Sequence, residues 1–280
     1  MALMSGLRRK LRRRLVHRLD DSVGDSRVLQ LLLGFTKTNR GVIDELGSVS
    51  LEYDPHSVIG NMLFVSGAFE ELEFRFFEAI LARISQPVVF DVGANIGVHA
   101  IGWARACPRA RIYAFEPSKA TFELLRENVG RNNVGGSVEM IPDAVSNYVG
   151  VGEFFRCEDD AYSSLRDTNR KRVIESFPVT VTTIDAFVHD RNLSKIDLIK
   201  LDVEGFEQEA LEGGQQALRN FRPHLFVEIF GGKNSNPDPA GTVEFVQSLG
   251  YEAFVLRNGI PEAYVRHSDA LFNYYFRPLS

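Results

Sequence analysis

The chain has 280 residues, 44% of them hydrophobic and 25% charged, enough to bury one large α/β core or two small ones. Its two cysteines, Cys107 and Cys157, exclude a disulfide framework and point to a reducing, cytoplasmic setting. The six histidines are scattered, with no H-E-x-x-H or Cys-His cluster to seat a transition metal.

The net charge of −5 conceals an asymmetry, because residues 1–19 contain seven Arg or Lys and no acid. Leu3, Leu7, Leu11, Leu15 and Leu19 recur every four positions, the period of a basic amphipathic helix. Such a helix suits the surface of an anionic membrane, each basic residue contributing about 1 kcal/mol. A solvated or partner-bound helix, a presequence and weak nucleic-acid attraction are the alternatives. No run reaches the ~18 apolar residues of a membrane span, and no apolar segment with a cleavage site follows, so secretion is disfavoured. Residues 1–60 are read as an N-terminal extension and 61–280 as one domain, with no clear element order in 20–60.

The spacing predicts a helix over Gly67 to Leu81, with Phe69, Leu72, Phe76 or Phe77, Ile80 and Leu81 on its apolar face. Val88-Val-Phe-Asp-Val-Gly-Ala-Asn-Ile-Gly97 then reads as a buried parallel strand, a glycine turn and the start of a helix over His99 to Ala106. A second strand, Arg111-Ile-Tyr-Ala-Phe-Glu-Pro117, ends on Glu116, 19 residues beyond Gly97 and placed to accept ribose hydroxyls. A dinucleotide domain and a methyltransferase domain both fit this layout. The glycine spacing separates them: G-x-x-x-G preceded by Asp91 would repel a pyrophosphate and suits a cofactor with a cationic amino-acid portion. A helix over 118–130 and a strand over Val138 to Ile141 follow. Asp143 next stands where an adenine amino group could donate to it, or is an exposed turn aspartate.

Gly150 to Phe155 and Val179 to Ile184 alternate with the strand period and are read as an inserted β element. The loop between them, Ala161-Tyr-Ser-Ser-Leu165, is either a cover for a bound ligand or a surface connection. A fourth strand, Ile196 onward, ends in Asp202, Glu204 and Glu207 before a helix at 207–219, and lies next to the first strand at the topological switch point. A fifth, Pro223 to Ile229, adds Glu228 to that rim. Lone acids at strand ends are often helix caps, and Glu207 is read chiefly that way.

Asp91-Val-Gly-Ala-Asn-Ile-Gly97, Phe115-Glu-Pro117, Asp143-Ala144, Ser163-Ser-Leu165, Ile199-Lys-Leu-Asp-Val-Glu-Gly-Phe-Glu207 and Glu228 together resemble the FkbM family of S-adenosylmethionine-dependent methyltransferases. Upstream Gly67-Ala-Phe-Glu70 also fits, with Phe69 where tyrosine is common. The resemblance covers roughly 60–230 and implies an α/β, class I methyltransferase (Rossmann-like) fold: a seven-stranded mostly parallel sheet whose last strand, Phe272 to Arg277, is antiparallel. It implies that Asp91, Gly93, Asn95 and Gly97 bind the methionine part of S-adenosylmethionine, Glu116 the ribose, and Asp143 with Ala144 the adenine, while Asp202 orients the amino group. The acceptor would be a hydroxyl on a sugar, polysaccharide, glycolipid or natural product.

A hydroxyl is a poor nucleophile, so a carboxylate should take its proton as the bond to methyl forms; Glu204 and Glu228 are the candidates, with Asp202 as a third. His224 is a weaker one. The same acids could bind a divalent cation through oxygen ligands. Competing functions are an NAD-type oxidoreductase, a nucleic-acid or protein methylase, and a non-catalytic membrane-associated scaffold. The acidic balance beyond residue 19 disfavours a nucleic-acid partner.

Overall fold

The computed structural model describes residues 42–46, 48–231, 236–268, 270 and 272–279. The basic segment 1–19 lies outside the described residues. In chain order a hairpin of β1 (Val42–Leu46) and β2 (Val49–Tyr53) leads to helices α1 (Val58–Ser66) and α2 (Glu71–Leu81). Then β3 (Val88–Val92), α3 (Val98–Ala106), β4 (Arg111–Phe115), α4 (Lys119–Arg131) and β5 (Val138–Ile141) alternate. Next come β6 (Ala144–Val145), β7 (Gly150–Cys157), β8 (Val173–Thr182) and α5 (Ile184–Asp190). The chain closes with β9 (Leu198–Leu201), α6 (Glu207–Glu212), α7 (Gln215–Phe221), β10 (His224–Glu228), α8 (Pro239–Ser248), β11 (Tyr251–Arg257), β12 (Ile260–Ala263) and β13 (Asn273–Pro278).

The main sheet has the order β12-β11-β13-β10-β9-β3-β4-β5. Strands β5, β4, β3, β9 and β10 are parallel, and β13 enters antiparallel between β10 and β11. These are the seven strands of the class I arrangement; β12 adds an eighth at the edge through an Asn258-Gly259 turn with both residues at positive φ. Side chains alternate between two cores. Phe90, Val92, Ile199 and Leu201 face Phe187, Leu211 and Leu218 on α5 to α7, while Val89 and Leu198 face Phe77, Trp103 and Leu125 on α2 to α4. The insert forms its own small sheet, β6-β8-β7, around Phe154 and Val181.

Four boundaries differ from the sequence reading, the first in the insert, whose strand β8 begins at Val173 and ends at Thr182, while Ile184, read as its last residue, opens α5. Leu51 and Tyr53, assigned by sequence to the extension, are fully buried, and Asn128 of α4 and the C-cap residue Asn132 bond the backbone of Glu52 and Ser50 at 2.7–3.0 Å. The domain therefore takes in residues on the N-terminal side of 61. Gly67 does not open a helix but ends α1, at φ +76°; α2 starts at Glu71 and leaves Leu72 half exposed rather than on the apolar face. The helix read over 207–219 is two, α6 and α7. At Gly213 a β-carbon would lie 2.1 Å from the Ser146 carbonyl oxygen, so the insert's backbone comes close where the helix breaks. Among the described residues no helix is long and apolar enough to cross a membrane.

Candidate functional site

A cavity of about 560 Å³ opens at the carboxyl ends of β3, β4, β9 and β10, where a doubly wound sheet reverses its strand order. Gly93, Asn95, Glu116, Asp143, Ala144, Asp202, Glu204 and Glu228 all line it. Asp91 and Gly97 do not. Asp91 is fully buried on β3, in register with Lys200 of β9, and its oxygens have no hydrogen-bond partner; Lys200 Nζ stands 3.7 Å away. Lys200 also lies 3.2 Å from Asp202 Oδ2 and donates to the Gly93 carbonyl at 3.4 Å. One buried ammonium thus ties two strand ends together, and its acidic neighbours outweigh burial and hold its pKa above the usual lysine value. Gly97 serves packing: at φ +90° its β-carbon would press on Leu125 and Ile101 side chains at 2.6 and 2.9 Å. Gly93 is where the two loops meet, since a β-carbon there would lie 1.8 Å from the Asp202 carbonyl oxygen.

At the β4 end, Glu116 is set by backbone. Its Oε2 accepts from Asn95 N at 3.0 Å and its Oε1 from Ser118 N at 2.9 Å. Burial pushes its carboxyl up to about 8, against these two donors. Asn95 reaches it from a left-handed backbone, φ +48°, which asparagine tolerates better than most residues. Asp143, half-buried and raised by burial, and Ala144 at the start of β6 continue the wall beyond β5.

The β9–β10 end is held by side chains. One carboxylate oxygen from each of Asp202, Glu204 and Glu228 lies within 4.8 Å of the others. Glu204, at φ +55°, is ion-paired with Arg170 of the insert, whose guanidinium lies over Tyr162 at 4.7 Å and Phe230 at 5.0 Å. Burial and the Asp202 charge raise the Glu204 pKa, and Arg170 opposes the rise. Burial raises Glu228 well above the carboxylate range, with Asp202, Glu204 and Glu70 adding to it. Loop 161–165 does face the cavity, and Ser164 Oγ donates to the Glu204 carbonyl at 3.0 Å. Glu207 caps the turn instead, its Oε1 accepting from Gly205 N at 3.0 Å and Val203 N at 3.3 Å. His224 sits at the opposite end of β10, with Nδ1 2.9 Å from Tyr275 Oη, and is no candidate base.

Sequence reasoning included Lys200 and Glu70 in the family pattern without giving either a role, and passed over Arg170 and Asn273. Lys200 carried a signal: a lysine amid the apolar residues of a strand buried on both faces requires buried acids around it.

The profile of the family described as Methyltransferase FkbM domain matches residues 91–253, more than half of the chain. The hexuronic acid methyltransferase AglP of Haloferax volcanii is 33% identical over 147 residues, 52% of this chain and 56% of AglP. The 2-O-methyltransferase NoeI of Sinorhizobium fredii is 27% identical over 150 residues, 49% of this chain and 60% of NoeI. A crystal structure of methyltransferase FkbM from Methylobacillus flagellatus aligns with a TM-score of 0.49 at 16% identity, covering 78% of this chain and 52% of that one. The chain thus spans little more than half the length of these proteins. The profile match begins on Asp91 and takes in the glycine turn, Glu116, the insert and all three clustered acids: the chain belongs to the FkbM methyltransferase domain family.

Proposed function

We propose that the protein transfers a methyl group from S-adenosylmethionine to a hydroxyl oxygen of a sugar or hydroxylated natural product. The observation that carries the reading is one cavity with the backbone-held Glu116 at one end and the Asp202, Glu204 and Glu228 cluster at the other. The name of NoeI, a 2-O-methyltransferase, agrees with it, and that of AglP agrees with a sugar-derived acceptor.

The residues present fit the cofactor. Each Glu116 oxygen uses one lone pair on a backbone N–H and keeps another for a hydroxyl, as a ribose diol requires. Asp143 offers an acceptor to an exocyclic amine, and Ala144 leaves room beside it. Gly93 and Asn95 form the floor, and Asp91 contributes from below through Lys200 rather than by contact. When bound, the cofactor supplies an electrophilic methyl on a sulfonium.

The acceptor's hydroxyl proton goes to Glu204. Arg170 keeps that carboxylate ionised more readily than its burial allows, while its raised pKa keeps it basic. Glu228, raised well above the ordinary carboxylate value by burial and by the neighbouring acids, donates a hydrogen bond that orients the acceptor oxygen. The insert's loop, anchored through Ser164 and stacked Arg170, excludes water from this end. Among the described residues the wall carries eight carboxylates and one guanidinium, a field that opposes polyanionic acceptors such as nucleic acid. The cluster is a weaker fit to a divalent cation, because Arg170 and Lys200 already neutralise two of its members.

Calorimetry of the purified protein with S-adenosylmethionine and S-adenosylhomocysteine, followed by labelled-methyl transfer to a panel of hydroxylated glycosides, tests the proposal. Micromolar binding and an alkali-stable ether product support it. Folded protein that takes up neither compound overturns it.

A further inference from the structure

Nine described residues other than glycine have positive φ, and five of them are asparagine, which tolerates that backbone. Of the remaining four, Glu70 and Glu204 both present carboxylates to the cavity. Glu204 is accounted for by Arg170. Glu70 is not accounted for by anything above. It occupies the N-cap of α2 at φ +46°, ψ +42°, yet its side chain makes no capping bond. A strained cap whose side chain turns away from the helix is a backbone conformation maintained for another purpose.

Two elements far apart in sequence lie against that carboxylate. Its Oε1 accepts from Asn273 Nδ2 of β13 at 3.0 Å, and its Oε2 lies 3.5 Å from His99 Nε2 of α3. His99 brings no charge, because burial and then Lys200 depress its pKa well below the ordinary histidine value. Lys200 is the cation beside Glu70, but it is already shared by Asp91 and Asp202. Glu70 is therefore a buried carboxylate without a cation of its own; burial pushes it up to about 7 even with Lys200 nearby.

Its position identifies the missing partner. Along the carboxyl edge of the sheet the wall runs from Glu116 after β4, past Gly93 after β3, to Asn273 on β13, where Glu70 is bonded. Glu70 thus stands over the first turn of α3, on the far side of Gly93 from the ribose position. Resting on the cofactor assignment above, we infer that Glu70 receives the α-ammonium group of the cofactor's amino-acid portion. The proposal gives a role to the last residue of the upstream Gly67-Ala-Phe-Glu70 motif, which lies before the profile match that begins at residue 91.

Two ligands separate this role from a general one. S-adenosylhomocysteine carries the ammonium, whereas 5′-methylthioadenosine shares the nucleoside and sulfur but lacks the amino-acid portion. In calorimetry, Glu70→Gln should weaken S-adenosylhomocysteine binding about tenfold or more while leaving 5′-methylthioadenosine within about twofold of wild type. Retained 5′-methylthioadenosine binding also reports an intact fold. Asn273→Ala, which loosens the carboxylate without removing it, should give a smaller loss with the same selectivity. Equal losses for both ligands, or no loss for either in both variants, overturns the inference. If wild-type protein binds neither ligand, the cofactor assignment itself fails, and the inference with it.

Discussion

At the β4 end of the cavity Glu116 is fixed by two backbone N–H groups within 21 residues of it, while at the β9–β10 end Glu204 is fixed by Arg170, 34 residues away on the insert. The first arrangement is rigid and indifferent to side-chain changes elsewhere. The second depends on an aromatic-flanked guanidinium that Tyr162 and Phe230 keep in place. A cofactor common to many enzymes is suited to the backbone-built end; an acceptor that varies is suited to the end that loops and side chains can remodel.

If the two ends work separately, they should fail separately. Glu204→Gln should lower kcat about 10²- to 10⁴-fold, the usual contribution of a positioned base, with S-adenosylhomocysteine affinity within about twofold of wild type. Initial rates of labelled-methyl transfer set beside calorimetry check this. A matching loss of cofactor affinity would show that the acceptor end also builds the cofactor end.

The seam between the ends is Gly93. Gly93→Ala places a β-carbon 1.8 Å from a carbonyl oxygen at φ +78°, and neither atom sits on a flexible side chain. Such strain should cost roughly 3 kcal/mol in urea unfolding. Gly97→Ala meets only the ends of Leu125 and Ile101, which can shift, so its cost should stay near the roughly 1–2 kcal/mol of the left-handed backbone alone. Equal costs would mean that the loops separate more readily than their packing implies.

Glu116→Gln acts on the backbone-built end. It removes the charge and one of the two acceptor oxygens, leaving an amide NH2 against the Asn95 or Ser118 N–H, so cofactor affinity should fall about tenfold to a hundredfold, with kcat at saturating cofactor nearly unchanged. Calorimetry and a rate measurement at high cofactor concentration separate the two effects.

The same contrast explains what could be read from the sequence. Asp91 to Gly97 and Glu116 were legible because a strand, a glycine turn and a helix start are local events with their own residue chemistry. The seven-stranded order followed with the family resemblance. Lys200 was given no role because its pairing with Asp91 exists only once β9 lies beside β3 in register. Glu70, seen only as the end of an upstream motif, was given no role because its partners are Asn273 and His99, and nothing local marks an unused cap. The break at Gly213 needed the backbone of Ser146, and the burial of Leu51 and Tyr53 needed the packing of β2 against α3 and α4. Pairings of this kind leave composition and periodicity almost unchanged.

The smallest expected effect concerns protons. Burial raises Glu70 and Glu207 to about 7 and Glu116 to about 8, so the folded, ligand-free protein binds more protons than the unfolded chain above the ordinary carboxylate range. Stability is then fully present below about pH 4.5 and is lost as pH rises through 7 to 8, because the unfolded state has already released those protons. Each group contributes at most about 1.4 kcal/mol per pH unit within its window. Thermal unfolding of ligand-free protein between pH 5 and 8.5 should show Tm declining, and Glu116→Gln should remove part of that decline. S-adenosylmethionine, as a cation that favours the ionised carboxylates, should flatten the profile in wild type. In Glu116→Gln the remaining flattening reports the other raised carboxylates, Glu70 among them. A profile flat without ligand would mean that water reaches these carboxylates and that neither end is as dry as its geometry implies.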